Sequence, residues 1–157
     1  MAKYVSYFLG NGIMTPRTRR ETKVEMEIGT LVALDDDGKL IKATNATGAH
    51  KKAIGVITTG SVADLDSPRY HKGSNVLKAG EFQEVYKFFT IGNVPSTEVN
   101  FGTAKLGDPV YLGEDGKMTT TKPSGSGTLI QVVGLVGDKT RQEVECTLIF
   151  PAEEATA

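Results

Sequence analysis

The chain has no tryptophan, one cysteine and two histidines in 157 residues. Each shortage excludes something. Cys146 alone forms no intramolecular disulfide, and no Cys-x-x-Cys motif exists. In Val144-Glu145-Cys146-Thr147-Leu148-Ile149-Phe150 it alternates onto one face with Val144, Leu148 and Phe150, the pattern of a small buried hydrophobe. A reactive thiol needs a basic neighbour, and the local sequence offers none. A disulfide-free chain fits folding in a reducing cytoplasm. His50 and His71 stand in loops without ligand spacing, so Asp64, Asp66 and His71 make a poor metal set. The missing tryptophan weakens a carbohydrate-binding reading, which expects solvent-facing aromatics for stacking on sugar rings. No apolar run approaches a membrane span, and Met1 to Gly10 does not read as a signal peptide. The formal net charge is −1, so no overall field points to nucleic acid or an anionic membrane.

What is abundant is glycine, at 18 residues, with short runs of Val, Ile, Thr, Tyr and Phe. That composition is all-β. No segment switches to a 3.6-residue period. About ten short strands are expected, at spacings typical of a compact β-barrel or sandwich. Residues 1–23 read as an extended N-terminal arm. Its apolar start (Tyr4, Val5, Tyr7, Phe8) precedes a basic run with Arg17, Arg19 and Arg20, and Pro16 forbids a central strand there. Residues 24–150 read as the β domain and 151–157 as a tail. Residues 59–83, broken by Gly60, Pro68, Gly73 and Gly80, read as a long loop insertion of the kind that contacts partners. Val85 to Ile91 reads as one strong strand, Glu98 to Phe101 as a weaker one, and Val144 to Phe150 as the strand that closes the sheet.

Catalytic patterns do not match. Ser124-Gly125-Ser126-Gly127 lacks the spacing of a nucleophile elbow. Gly113-Glu114-Asp115-Gly116-Lys117-Met118 is too short for a phosphate loop, with Met118 where a Ser or Thr ligand to magnesium belongs. Asp35-Asp36-Asp37-Gly38 is contiguous, unlike the alternating acids of a calcium loop. The expectation is a non-enzyme without cofactor or metal.

The strongest positive signal is an internal repeat. Ile28-Gly29-Thr30-Leu31-Val32-Ala33-Leu34-Asp35-Asp36-Asp37-Gly38-Lys39-Leu40 matches Leu106-Gly107-Asp108-Pro109-Val110-Tyr111-Leu112-Gly113-Glu114-Asp115-Gly116-Lys117-Met118. Each copy leads on to a glycine-bearing apolar strand, Ala53 to Ile57 and Val132 to Val136. Ile28 lies 26 residues before Ile54, and Leu106 lies 27 before Val133. Near-equal spacing argues for one supersecondary unit used twice, over 24–58 and 102–137. Gly38 and Gly116 then hold equivalent turns with positive φ.

The run Lys105 to Leu112, then Gly116 to Thr121, then Val132 to Val136 resembles small virion proteins of tailed bacteriophages. Gly29 to Val32 and Ala53 to Val56 resemble the matching half of capsid decoration (cement) proteins. The likeness covers roughly 24–150 and rests on structural glycines and hydrophobics. It implies a β-rich structural protein on the outside of a phage capsid, bridging subunits of the major capsid protein. A homotrimer located in the virion is implied, with no nucleic acid, membrane or small-molecule substrate as partner. The arm residues Tyr4, Tyr7, Phe8, Arg17, Arg19 and Arg20 are the expected capsid contacts. A phage tail or head-fibre module and a carbohydrate-binding β domain are the alternatives.

Overall fold

A computed structural model describes residues 4–6, 17–27, 29–58, 76–92, 99, 101–147 and 153–155. They form an all-β molecule. The strands are β1 (Tyr4–Ser6), β2 (Arg17–Glu21), β3 (Met26–Glu27), β4 (Leu31–Leu34), β5 (Leu40–Lys42), β6 (Gly55–Thr58), β7 (Val76–Leu77), β8 (Phe82–Tyr86), β9 (Phe88–Gly92), β10 (Pro109–Leu112), β11 (Met118–Thr119), β12 (Leu129–Ile130), β13 (Val132–Val136), β14 (Val144–Thr147) and β15 (Glu153–Glu154). Two antiparallel sheets dominate, one ordered β2-β8-β6-β4-β5 and one ordered β1-β9-β14-β13-β10-β11. Two-stranded ribbons, β3-β7 and β12-β15, complete the described fold.

The strands alternate as a sheet requires, successive side chains taking opposite faces. Leu31 and Ala33 of β4 join Val56 in one core with Val110, Leu112, Met118, Val133, Val136 and Val144 of the second sheet. Val32, Leu40, Ile57 and Val85 point the other way, into a second core covered by Met26 and Leu77 of the β3-β7 ribbon. The first sheet is therefore buried on both faces. That is why β4 reads as continuously apolar rather than alternating.

The two sheets share a pairing scheme. Ala33↔Ile41 and Leu34↔Leu40 between β4 and β5 have their counterparts in Tyr111↔Thr119 and Leu112↔Met118 between β10 and β11. Leu31↔Val56 and Val32↔Gly55 correspond to Pro109↔Leu135 and Val110↔Gly134, after which β10 and β13 shift register. Gly29 N–H donates to Ile57 O at 3.0 Å, and Gly107 N–H to Val136 O at 2.8 Å. Outward from there, Ile57↔Val85 and Val85↔Thr18 run as Val136↔Val144 and Val144↔Ile91 do. In position, β2 corresponds to β9 and β8 to β14.

Several segments differ from the sequence reading. The stretch read as an arm is built into both sheets: β1 pairs with β9 and β2 with β8 along five residues. Among the described residues both are edge strands, the position that Pro16 favours for the adjoining β2. Val85 to Ile91 is two strands rather than one. The exposed bend at Lys87 carries the chain out of the first sheet and into the second. Val99 and Phe101 are buried in the shared core without strand pairing of their own. The end of the presumed 59–83 loop supplies β7 and the start of β8, while 59–75 lie outside the described residues. β14 sits inside its sheet, between β13 and β9, rather than closing an edge. The presumed tail contributes β15, paired with β12.

Candidate functional site

The expected capsid contacts fall in two places. Tyr4 is in β1 of the six-stranded sheet, and Arg17, Arg19 and Arg20 are in β2 of the five-stranded one. Tyr7 and Phe8 lie outside the described residues. The basic run is the part with a defined setting. Its C-terminal end closes against the turn that holds Gly38. Lys23 N–H donates to Leu40 O at 2.9 Å, and Thr22 bridges Leu40 in parallel sense. The two edge strands β2 and β5 therefore meet at this point.

Side chains tie the junction together. Lys23 Nζ lies 2.7 Å from Asp35 Oδ2, and Lys39 Nζ lies 2.9 Å from Glu21 Oε1. Arg20 Nη1 reaches Gly38 O at the outer limit of hydrogen bonding, 3.5 Å. Thr22 is buried, and its hydroxyl is 2.7 Å from Lys78 O and 3.1 Å from Glu81 O. The Asp35 carboxylate also accepts the backbone N–H groups of Asp37 and Lys39. The Lys23 ammonium and those N–H groups hold its carboxyl below the ordinary carboxylate value. Asp35 in turn raises Lys23, chiefly through the same hydrogen bond. Two features that looked unrelated in the sequence, the basic run and the Gly38 turn, thus form one charged junction. Arg19 stays exposed and makes no ion pair among the described residues.

Gly38 and Gly116 share a sign of φ, +77° and +73°, but not an environment. Gly38 sits in a half-exposed turn beside Arg20. Gly116 is buried, and its N–H donates to Ala43 O at 2.6 Å. Asp115 before it is itself left-handed, with φ +50°. The Glu114–Gly116 turn forms one wall of a polar cleft of about 320 Å³, with Glu25, Glu27, Thr30, Lys42, Asp115 and Lys117 around it. Three carboxylates and two ammonium groups give that cleft mixed sign and no obvious single ligand.

A further residue went unread in the sequence. Gln131 is fully buried. Its Oε1 accepts Ala53 N–H at 2.8 Å, and its Nε2 donates to Ala53 O at 2.9 Å. The amide imitates a strand's backbone and joins the two halves of the molecule through the core. A lone glutamine before an apolar strand gives no periodic signal of this role. No protein-family model matches the chain, and a search of curated proteins found no relative.

Proposed function

We propose that the protein is a structural virion protein that binds the outer surface of a phage capsid and stabilises contacts between major capsid protein subunits. The observation that supports this best is the shared pairing scheme of the two sheets. Much of the stretch resembling decoration proteins lies on those strands: Pro109–Leu112 and Val132–Val136 in one sheet, Leu31, Val32, Gly55 and Val56 in the other. A module used twice and packed around one core makes a small rigid clamp, suited to bearing load between subunits. Many such clamps, each adding modest interface, resist the outward pressure of packaged DNA. We read the module as a tandem duplication. We also propose a homotrimer, since among the described residues the six-stranded sheet ends in the edge strands β1 and β11, and closed symmetry covers such edges.

Electron microscopy of virions produced with and without this chain tests the reading. The expected result is density on the capsid exterior at junctions between subunits, absent when the chain is deleted. Density confined to the tail or to a head fibre supports the alternative module instead. Mass photometry tests the trimer, and monomer alone at particle-like concentrations speaks against it.

A further inference from the structure

We infer that the outer edge of β2, at Arg17–Arg19, is an acceptor site for an extended acidic strand supplied by the partner protein. The inference names the docking chemistry of the capsid reading and rests on that reading for the identity of the partner.

The geometry comes from comparing the two sheets. Thr18 and Arg17 face Val85 and Tyr86 of β8, as Ile91 and Thr90 face Val144 and Glu145 of β14. In the second sheet the far side of β9 is already occupied. β1 pairs there in the register Tyr4↔Gly92, Val5↔Ile91 and Ser6↔Thr90. The equivalent positions on β2 are Arg19, Thr18 and Arg17, and no strand pairs with their outer side among the described residues.

That edge has hydrogen-bonding groups aimed outward. Thr22 N–H donates to Glu81 O at 2.9 Å, and Gly80 N–H donates to Thr22 O at 2.8 Å. Thr22 is therefore turned toward the β8 side. Antiparallel alternation then turns Arg20 and Thr18 to β8 and leaves Arg17 and Arg19 facing away. Beyond Glu21 the edge is taken up by the junction with β5, so the edge left open among the described residues is short, of the length that β1 fills on β9.

Charge selects the occupant. Three arginines within four residues, Arg19 among them exposed and without an ion pair among the described residues, stand on a chain of net charge −1. A second copy's β2 would set arginine against arginine, and like charges directly opposite are destabilising. The chain's own N-terminal strand carries Lys3 beside Tyr4 and is already committed to β9. An acidic strand from a different protein gains both main-chain hydrogen bonds and charge complementarity, as in strand addition to an open sheet edge.

The test is a proton–nitrogen NMR titration of the full chain with acetyl-Glu-Val-Glu-Val-Glu-amide, alongside its lysine counterpart. The expected result is that the Arg17 and Arg19 amide signals move with the acidic peptide and stay still with the lysine one. Arg19→Pro removes an outward N–H without touching the β8 ladder, and should abolish the shifts while the fold persists. If that variant fails to fold, Arg19→Glu keeps the backbone and should weaken the peptide at least about tenfold. No movement at Arg17 and Arg19, or equal movement with both peptides, overturns the inference. Cosedimentation with capsids separates it from the reading beneath it. Peptide shifts without any capsid binding by the wild-type chain refute the capsid role but keep the acceptor edge. Capsid binding without peptide shifts refutes the edge alone.

Discussion

Replacing the two turn glycines should have unequal consequences, although the sequence makes them look alike. Both have φ near +75°, where an added Cβ costs about 1–2 kcal/mol. At Gly38 that is nearly all: the nearest atom to a new Cβ is Arg20 Nη1, 3.6 Å away at the end of a flexible side chain. At Gly116 a Cβ would strike the Thr30 methyl and come within 2.7 Å of Leu31 O, a backbone atom of a central strand. Forcing atoms into a packed site adds roughly 1–3 kcal/mol. For a domain of this size 1 kcal/mol moves Tm by about 2–4 °C. Gly38→Ala should then lower Tm by about 2–8 °C and Gly116→Ala by about 4–20 °C, taking the two costs together. Asparagine separates the causes, because it tolerates left-handed backbone but still carries a Cβ. At Gly38 asparagine should be milder than alanine or valine. At Gly116 it should give little relief. Differential scanning calorimetry of the six variants decides the matter. Equal losses for Gly38→Asn and Gly116→Asn would refute the steric argument and restore the simpler view that both turns answer to φ alone.

Gln131→Leu should destabilise by about 2–5 kcal/mol, since it strands the buried N–H and C=O of Ala53; urea titration measures it, and a loss under about 1 kcal/mol would show that the clamp is dispensable. Asp35→Asn tests the charged junction through pH. Asp35 has a depressed folded pKa, so its contribution is present above the unfolded value of about 4 and fades as pH falls through the folded one. The Tm gap between wild type and Asp35→Asn should therefore be open at neutral pH and close in strong acid, and a gap independent of pH would contradict this. Lys23 has a raised folded pKa, so its share should persist below about pH 10.4 and be lost as pH rises through the folded value; Lys23→Met should converge with wild type in strong alkali. Deleting residues 1–23 should leave β8 paired only with β6 and remove buried Thr22, giving a clear fall in the urea midpoint; an unchanged midpoint would mean that β2 is a detachable arm after all.

The sequence by itself determined the class of fold and much of its local layout. Alternating and continuous apolar runs dictated strands at Leu31–Leu34, Leu40–Lys42, Gly55–Thr58, Pro109–Leu112 and Val132–Val136. Glycines at 38 and 116 marked turns because little else takes positive φ at low cost. Tertiary structure decided what those strands face. Nothing local tells Val32 and Val110 apart, yet the first lies in the core under the β3-β7 ribbon and the second in the core shared by both sheets. Nor does a basic stretch announce that it will pair with a strand some sixty residues later, as Arg20 does with Gln83. Such pairings are non-local. They depend on which edges are free once the sheets have packed, and edge availability is a property of the assembled sheets rather than of any segment. The same reason hid the candidate site: the junction of Glu21, Lys23, Asp35 and Lys39, the Gln131 clamp and the Arg17–Arg19 edge exist only where distant strands are brought side by side.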